Sequence, residues 1–130
     1  MKNERDQYAV RAWNTKTKCY TPDVQYEYAT PYGHLATFVG AVLFEGGYEE
    51  YKLEQSTGLR DIEDNLIYKN DILQSNITGK LYTVQREKHF ATFSYRHGTT
   101  GMMLSDYDIE NYKLKVVGNI NENKDLLDLI

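Results

Sequence analysis

One cysteine in 130 residues excludes a disulfide within the chain and any cysteine-built zinc site beyond a single ligand. Cys19 reads as a small strand residue, because no neighbouring histidine supports a thiolate. Only two prolines occur, Pro22 and Pro31, so every later strand keeps its full row of backbone donors. No apolar run approaches the roughly 18 residues that span a bilayer. The longest, Phe38 to Phe44, is broken by Gly40. Met1 to Gln7 is polar and charged with no apolar core of a signal peptide, so the expected location is cytoplasmic.

Positive charge is also short. Fifteen Lys and Arg face nineteen Asp and Glu, a formal net charge of −4. A dedicated duplex-DNA binder usually carries a basic face, so the balance argues against that class. The three histidines, His34, His89 and His97, show neither His-x-His nor His-x-x-x-His spacing, and no metal site is expected. Gly46-Gly47 lacks the Lys-Ser/Thr that a phosphate loop needs, and reads as a hairpin turn. Asp61, Glu63, Asp64 and Asp71 cluster in sequence without the alternating ladder of a calcium loop, so the first three read as a solvated turn. No catalytic set is expected and no cofactor. An enzyme would have only Asp71, His89 and His97 to work with.

What the chain has in abundance is tyrosine, twelve residues, a residue that suits pleated, half-buried surfaces. Period-two alternation marks strands at Tyr8 to Trp13, Lys80 to Gln85, His89 to Arg96 and Tyr112 to Val117. Asn14 to Lys18 is a polar reversal, which predicts a hairpin onto Cys19. Gly79 and the Gly98-Thr99-Thr100-Gly101 segment supply further turns. The tail from Asn123 to Ile130 predicts a two-turn helix capped by Asn121 or Asn123. Residues 22–50 yield no clear reading. Thr57 to Asn65 reads as the connection between two lobes, residues 1–56 and 57–130, of one continuous domain.

Four phrases carry a resemblance. They are Arg11-Ala12-Trp13-Asn14, then Leu53 to Asp61 (LEQSTGLRD), Ile67 to Leu73 (IYKNDIL) and Val116 to Asn123 (VVGNINEN). In order and spacing the chain resembles the YopX family, small proteins encoded mainly by phages and prophages of Firmicutes. The family pattern has Gly where this chain has Asn70, and Asn is the side chain best able to take the left-handed backbone that Gly takes. The resemblance implies a mainly all-β protein: an N-terminal β-lobe, then an SH3-like barrel with a short C-terminal helix. It implies no assigned activity. In its phrase Asp71 opens a strand, where a carboxylate suits capping of a turn through backbone N–H groups.

One window departs from the acidic balance. Residues 78–101 hold Lys80, Arg86, Lys88 and Arg96 against Glu87 alone, interleaved with Tyr82, Phe90, Phe93 and Tyr95. Cations among aromatics on a β-surface are how barrels take single-stranded nucleic acid. The simpler reading is a sheet whose aromatics are core and whose cations are solvated. The expected function is therefore a non-enzymatic β-module acting through protein contacts, as a homo-oligomer. Weak nucleic-acid binding through the basic strands is the alternative.

Overall fold

The structure is a computed structural model that describes residues 6, 7, 9–20, 51–88 and 92–130. The 22–50 stretch lies outside the described residues, with the Phe38 to Phe44 run, the Gly46-Gly47 turn and His34; so do His89 and Phe90.

β1 (Val10–Asn14) and β2 (Cys19–Tyr20) form the expected hairpin, with Trp13 opposite Tyr20. Asn14 Oδ1 accepts from the backbone N–H groups of Lys16 and Thr17 at 2.9 and 3.0 Å, an Asx turn that closes the reversal. β3 (Tyr51–Arg60) pairs with β1 over its first half and with β4 (Leu66–Tyr68) over its second. The hand-over falls between Gln55 and Ser56, and Gly58 just beyond it has a φ of +79°, a conformation that side chains resist. The pairing register shifts between Ser56 and Arg60, so the strand bends there without losing its partners. The connection expected from Thr57 to Asn65 is thus strand as far as Arg60. The 56/57 division falls inside β3.

Asp61 organises the turn that follows. Its Oδ1 accepts from the N–H groups of Glu63 and Asn65 at 2.9 and 2.8 Å, and its Oδ2 from Val116 N–H at 2.7 Å. Asn70, at φ +73°, then carries the chain from β4 into β5 (Asp71–Ser75). Asp71 Oδ2 accepts from Tyr68 N–H at 2.7 Å, the turn-capping contact its place in the phrase suggests. The turn also bonds across the molecule: Lys69 N–H reaches Gln55 and Asn70 N–H reaches Val84.

Beyond it lies a five-stranded antiparallel sheet, ordered β8-β7-β6-β5-β9, that curls as half a barrel. Its strands are β5, β6 (Leu81–Arg86), β7 (Phe93–His97), β8 (Thr100–Met103) and β9 (Leu114–Asn119). The protein is all-β with little helix. The β7–β8 reversal uses only Gly98 and Thr99, so Thr100 and Gly101, read from sequence as loop, belong to β8.

The core gathers Ile67, Leu73, Val84, Tyr95, Leu104, Ile109 and Leu114. Ile109 belongs to α1 (Asp106–Tyr112), a helix the alternation analysis missed. Its signal is local: Ser105 Oγ caps it by accepting from Asp108 N–H at 3.1 Å. Lys113, left-handed at φ +51°, ends it.

The tail forms a 3-10 helix, Lys124–Leu129, with no buried residue. Asn123 stands at its start but does not cap it with its side chain. Its Oδ1 accepts from Asn119 N–H at 3.1 Å instead. Gly118 makes room for this, since a Cβ there would collide with the Asn123 side chain.

Candidate functional site

The four phrases of the sequence converge on one point. Arg11 from β1, Glu54 from β3, Asp71 from β5 and Asn121 from the segment after β9 meet between the two sheets, joined by Tyr20, Tyr68 and Asn70. Arg11 Nε donates to Glu54 Oε1 at 2.7 Å, and Arg11 Nη2 lies 2.7 Å from Asp71 Oδ1. The second contact is a close, buried ion pair. The guanidinium carbon stands 4.5 Å from the Tyr20 ring centre and 4.7 Å from that of Tyr68, so the cation is held by ring faces as well as by carboxylates.

Glu54 is 1% exposed and fully used. Oε1 accepts from Arg11 and from Tyr20 O–H at 2.9 Å. Oε2 accepts from Asn70 Nδ2 at 2.7 Å and from Asn121 Nδ2 at 3.1 Å. Asn121 also donates to Tyr20 Oη at 3.0 Å. Two buried carboxylates share one buried cation, an excess of one negative charge in a place poor in water. Asp71 shows the strain. Burial pushes its carboxyl up to about 6, against the pull of Arg11 and of Tyr68 N–H. Burial likewise raises the phenols of Tyr20 and Tyr68.

A carboxyl near 6 has the proton affinity of a general acid or base. Asp71 is 1% exposed, however, and a substrate would have to displace the clasp to reach it. The arrangement holds the two sheets and the segment after β9 together. Beside it opens a cleft of about 640 Å³, with Trp13 and Asn121 in its wall and Lys18, Lys52 and Lys124 around it.

A model of the family described as YopX protein matches residues 9–128. The chain belongs to the YopX family. No curated protein matches it. The clasp is built from the four phrases that carry the family resemblance. Its signal in the sequence is Glu54 and Asp71, carboxylates at strand positions, which alternation alone does not connect to Arg11.

The other expected site residues do not gather. His97 places Nδ1 2.9 Å from the Leu81 carbonyl, two strands away from Asp71 in the sheet order. Among the described residues no group of three or more His, Cys, Asp or Glu side chains converges as a metal site requires. Lys80 precedes β6 and Lys88 follows it, so they stand roughly 20 Å or more apart along an extended strand. Arg96 pairs with Glu87 at 2.9 Å. Arg86 lies over the Phe93 ring at 5.5 Å and donates to Gln55 at 3.3 Å. These three residues line a groove of about 360 Å³. Tyr95 is buried core, and Tyr82 and Phe93 pack against that core.

The edges of the large sheet differ. The β9 edge is covered, since Asp61 Oδ2 takes Val116 N–H and Ile62 N–H takes the Leu114 carbonyl. β8 is exposed along its whole length, with Met102 at 39% and Met103 at 62%. Among the described residues no helix is long and apolar enough to cross a membrane.

Proposed function

We propose that this YopX chain is a non-enzymatic β-module that works through contacts with protein surfaces, self-association among them. The carrying observation is the contrast between the two edges of its five-stranded sheet. Edge strands invite pairing, and proteins guard them with charge, proline or a covering loop. β9 has its cover; β8 reads Thr-Gly-Met-Met and has neither charge nor proline. The reading includes an SH3-like barrel for the curled sheet, a phage or prophage origin and a cytoplasmic setting in the bacterial host.

A second reading, weak binding of single-stranded nucleic acid through Lys80, Arg86, Lys88 and Arg96, draws support from the groove shared by Arg86 and Phe93. The inward packing of Tyr82 and Tyr95 leaves it fewer stacking platforms.

Light scattering coupled to size exclusion separates the two. The expected result is a mass that rises with protein concentration, is indifferent to salt and does not respond to a short single-stranded oligonucleotide. A monomer at every concentration that forms a salt-sensitive complex with the oligonucleotide would overturn the first reading. Arg86→Glu with Arg96→Glu should then abolish that complex.

A further inference from the structure

The open edge specifies its own partner. We infer that two copies of this chain pair through β8 about a two-fold axis passing at Met102, joining their five-stranded sheets edge to edge. This rests on the self-association reading above and adds to it the surface and the register.

The backbone sets the first constraint. Leu104 N–H bonds the Phe93 carbonyl at 2.9 Å, and β8 pairs with β7 in the register Ser94 to Met103 and His97 to Thr100. Partners alternate along an antiparallel strand. Thr100, Met102 and Leu104 therefore turn their peptide groups toward β7, and Gly101 and Met103 turn theirs outward. Among the described residues nothing bonds those outward groups.

Symmetry sets the second. A two-fold axis perpendicular to the sheet keeps the same face upward in both copies, so opposed residues must lie on one face, and the axis must pass at a residue. Placed at Met102, it sets Gly101 against Met103 of the second copy, and the reverse. These are the residues with outward peptide groups, so each opposed pair exchanges two hydrogen bonds. The axis placed at Gly101 would give one such pair in place of two.

Side chains agree with that register. Gly101 and Met103 lie on the face shared with Ser94 and Arg96. A cavity of about 240 Å³ opens there, bounded by Ser94, Arg96, Gly101, Met102 and Met103. Any side chain at position 101 would strike Arg96, whose Cγ and Cζ lie 2.9 Å from the place of a Cβ. Arg96 itself covers the glycine, and the opposed methionine, 62% exposed in the single chain, is the group that reaches the cavity, the gap beside them. Met is flexible enough to adapt to such a gap. β8 has no charge, so antiparallel self-pairing brings no like charges together. The contact is four backbone bonds and two methionines, smaller than a standard interface, and the dimer is a concentration-dependent one.

Cysteine cross-linking tests the register directly. At the axis, Met102 faces its own copy in a pair without hydrogen bonds, with Cα atoms about 4.5 Å apart, inside disulfide reach. In a Cys19→Ser background, Met102→Cys should give a covalent dimer on mild oxidation, in several-fold higher yield than Thr99→Cys, beyond the paired segment. Met103→Lys, at a position 62% exposed in the single chain, should abolish both the cross-link in that background and the mass increase seen by light scattering. A chain that dimerises by light scattering but forms no Met102→Cys cross-link overturns the register and leaves self-association standing. A chain that stays monomeric to roughly millimolar concentration overturns both.

Discussion

Arg11 Nε and Glu54 Oε1 stand 2.7 Å apart across 43 residues of chain. This bond ties β1 to β3 inside a cluster that also holds β5 and the segment after β9. Removing one partner of a buried pair leaves the other charged and dry. Arg11→Met should therefore lower stability by about 3–5 kcal/mol. Glu54→Gln, which keeps one acceptor oxygen, should lower it less, by about 1–3 kcal/mol. The combined variant should fall short of the sum of the two, measured by urea denaturation, because contacting residues couple. Additive losses would show that the pair does not act as a unit.

Asp71 makes stability depend on pH in an unusual direction. Its carboxyl is raised from 3.8 to about 6 in the folded chain. Between these values the folded state holds more protons than the unfolded one, so stability from this group is full below pH 3.8 and is lost as pH rises through about 6. The loss is about 3 kcal/mol at most. Asp71→Asn keeps an acceptor for Tyr68 N–H and cannot titrate. The stability difference, variant minus native, should therefore rise in favour of the variant from pH 4 to pH 7. A difference that stays flat over that range would contradict the raised carboxyl.

Gly118 and Asn123 form a lock in the segment after β9. Gly118→Ala places a methyl group on the Asn123 side chain and should cost about 1–3 kcal/mol by overpacking. Asn123→Ala alone loses the bond to Asn119 N–H, about 1 kcal/mol. In the Asn123→Ala background the Gly118→Ala change should cost less, because only the Cβ of residue 123, 3.1 Å from the added methyl, remains close. Thermal unfolding of the four proteins reads this cycle, and an undiminished cost in the double variant would place the clash elsewhere.

Strands were legible where alternation was local. β1, β6 and β9 lie where period two places them, and the Asn14 to Lys18 reversal gives a hairpin. The helix α1 was not, because its seven residues are Asp, Tyr, Ile, Glu and Asn with one buried position, Ile109. Its only mark is Ser105 three residues before Asp108. The polar stretch after Ser56 looked like a linker because a bend at Gly58 and continued pairing with β4 leave no trace in composition. Asn123 was legible as a cap by residue type, yet its side chain is taken by Asn119. The clasp was the least legible part. Alternation reports which face a residue occupies and not which distant charge it meets.

Asn121 touches Tyr20 across 101 residues and Glu54 across 67. Contacts of such separation form only after long loops close, and chains rich in them fold in milliseconds to seconds rather than microseconds. The clasp is therefore expected to close late in folding, with a kinetic readout of Arg11→Met as its check: unfolding should speed up far more than folding slows. A chain whose clasp has not closed would hold an incompletely bonded Glu54 while its β8 edge stands exposed to other chains. Slow completion beside an early sticky edge makes protein concentration during refolding a variable that decides between assembly and aggregation.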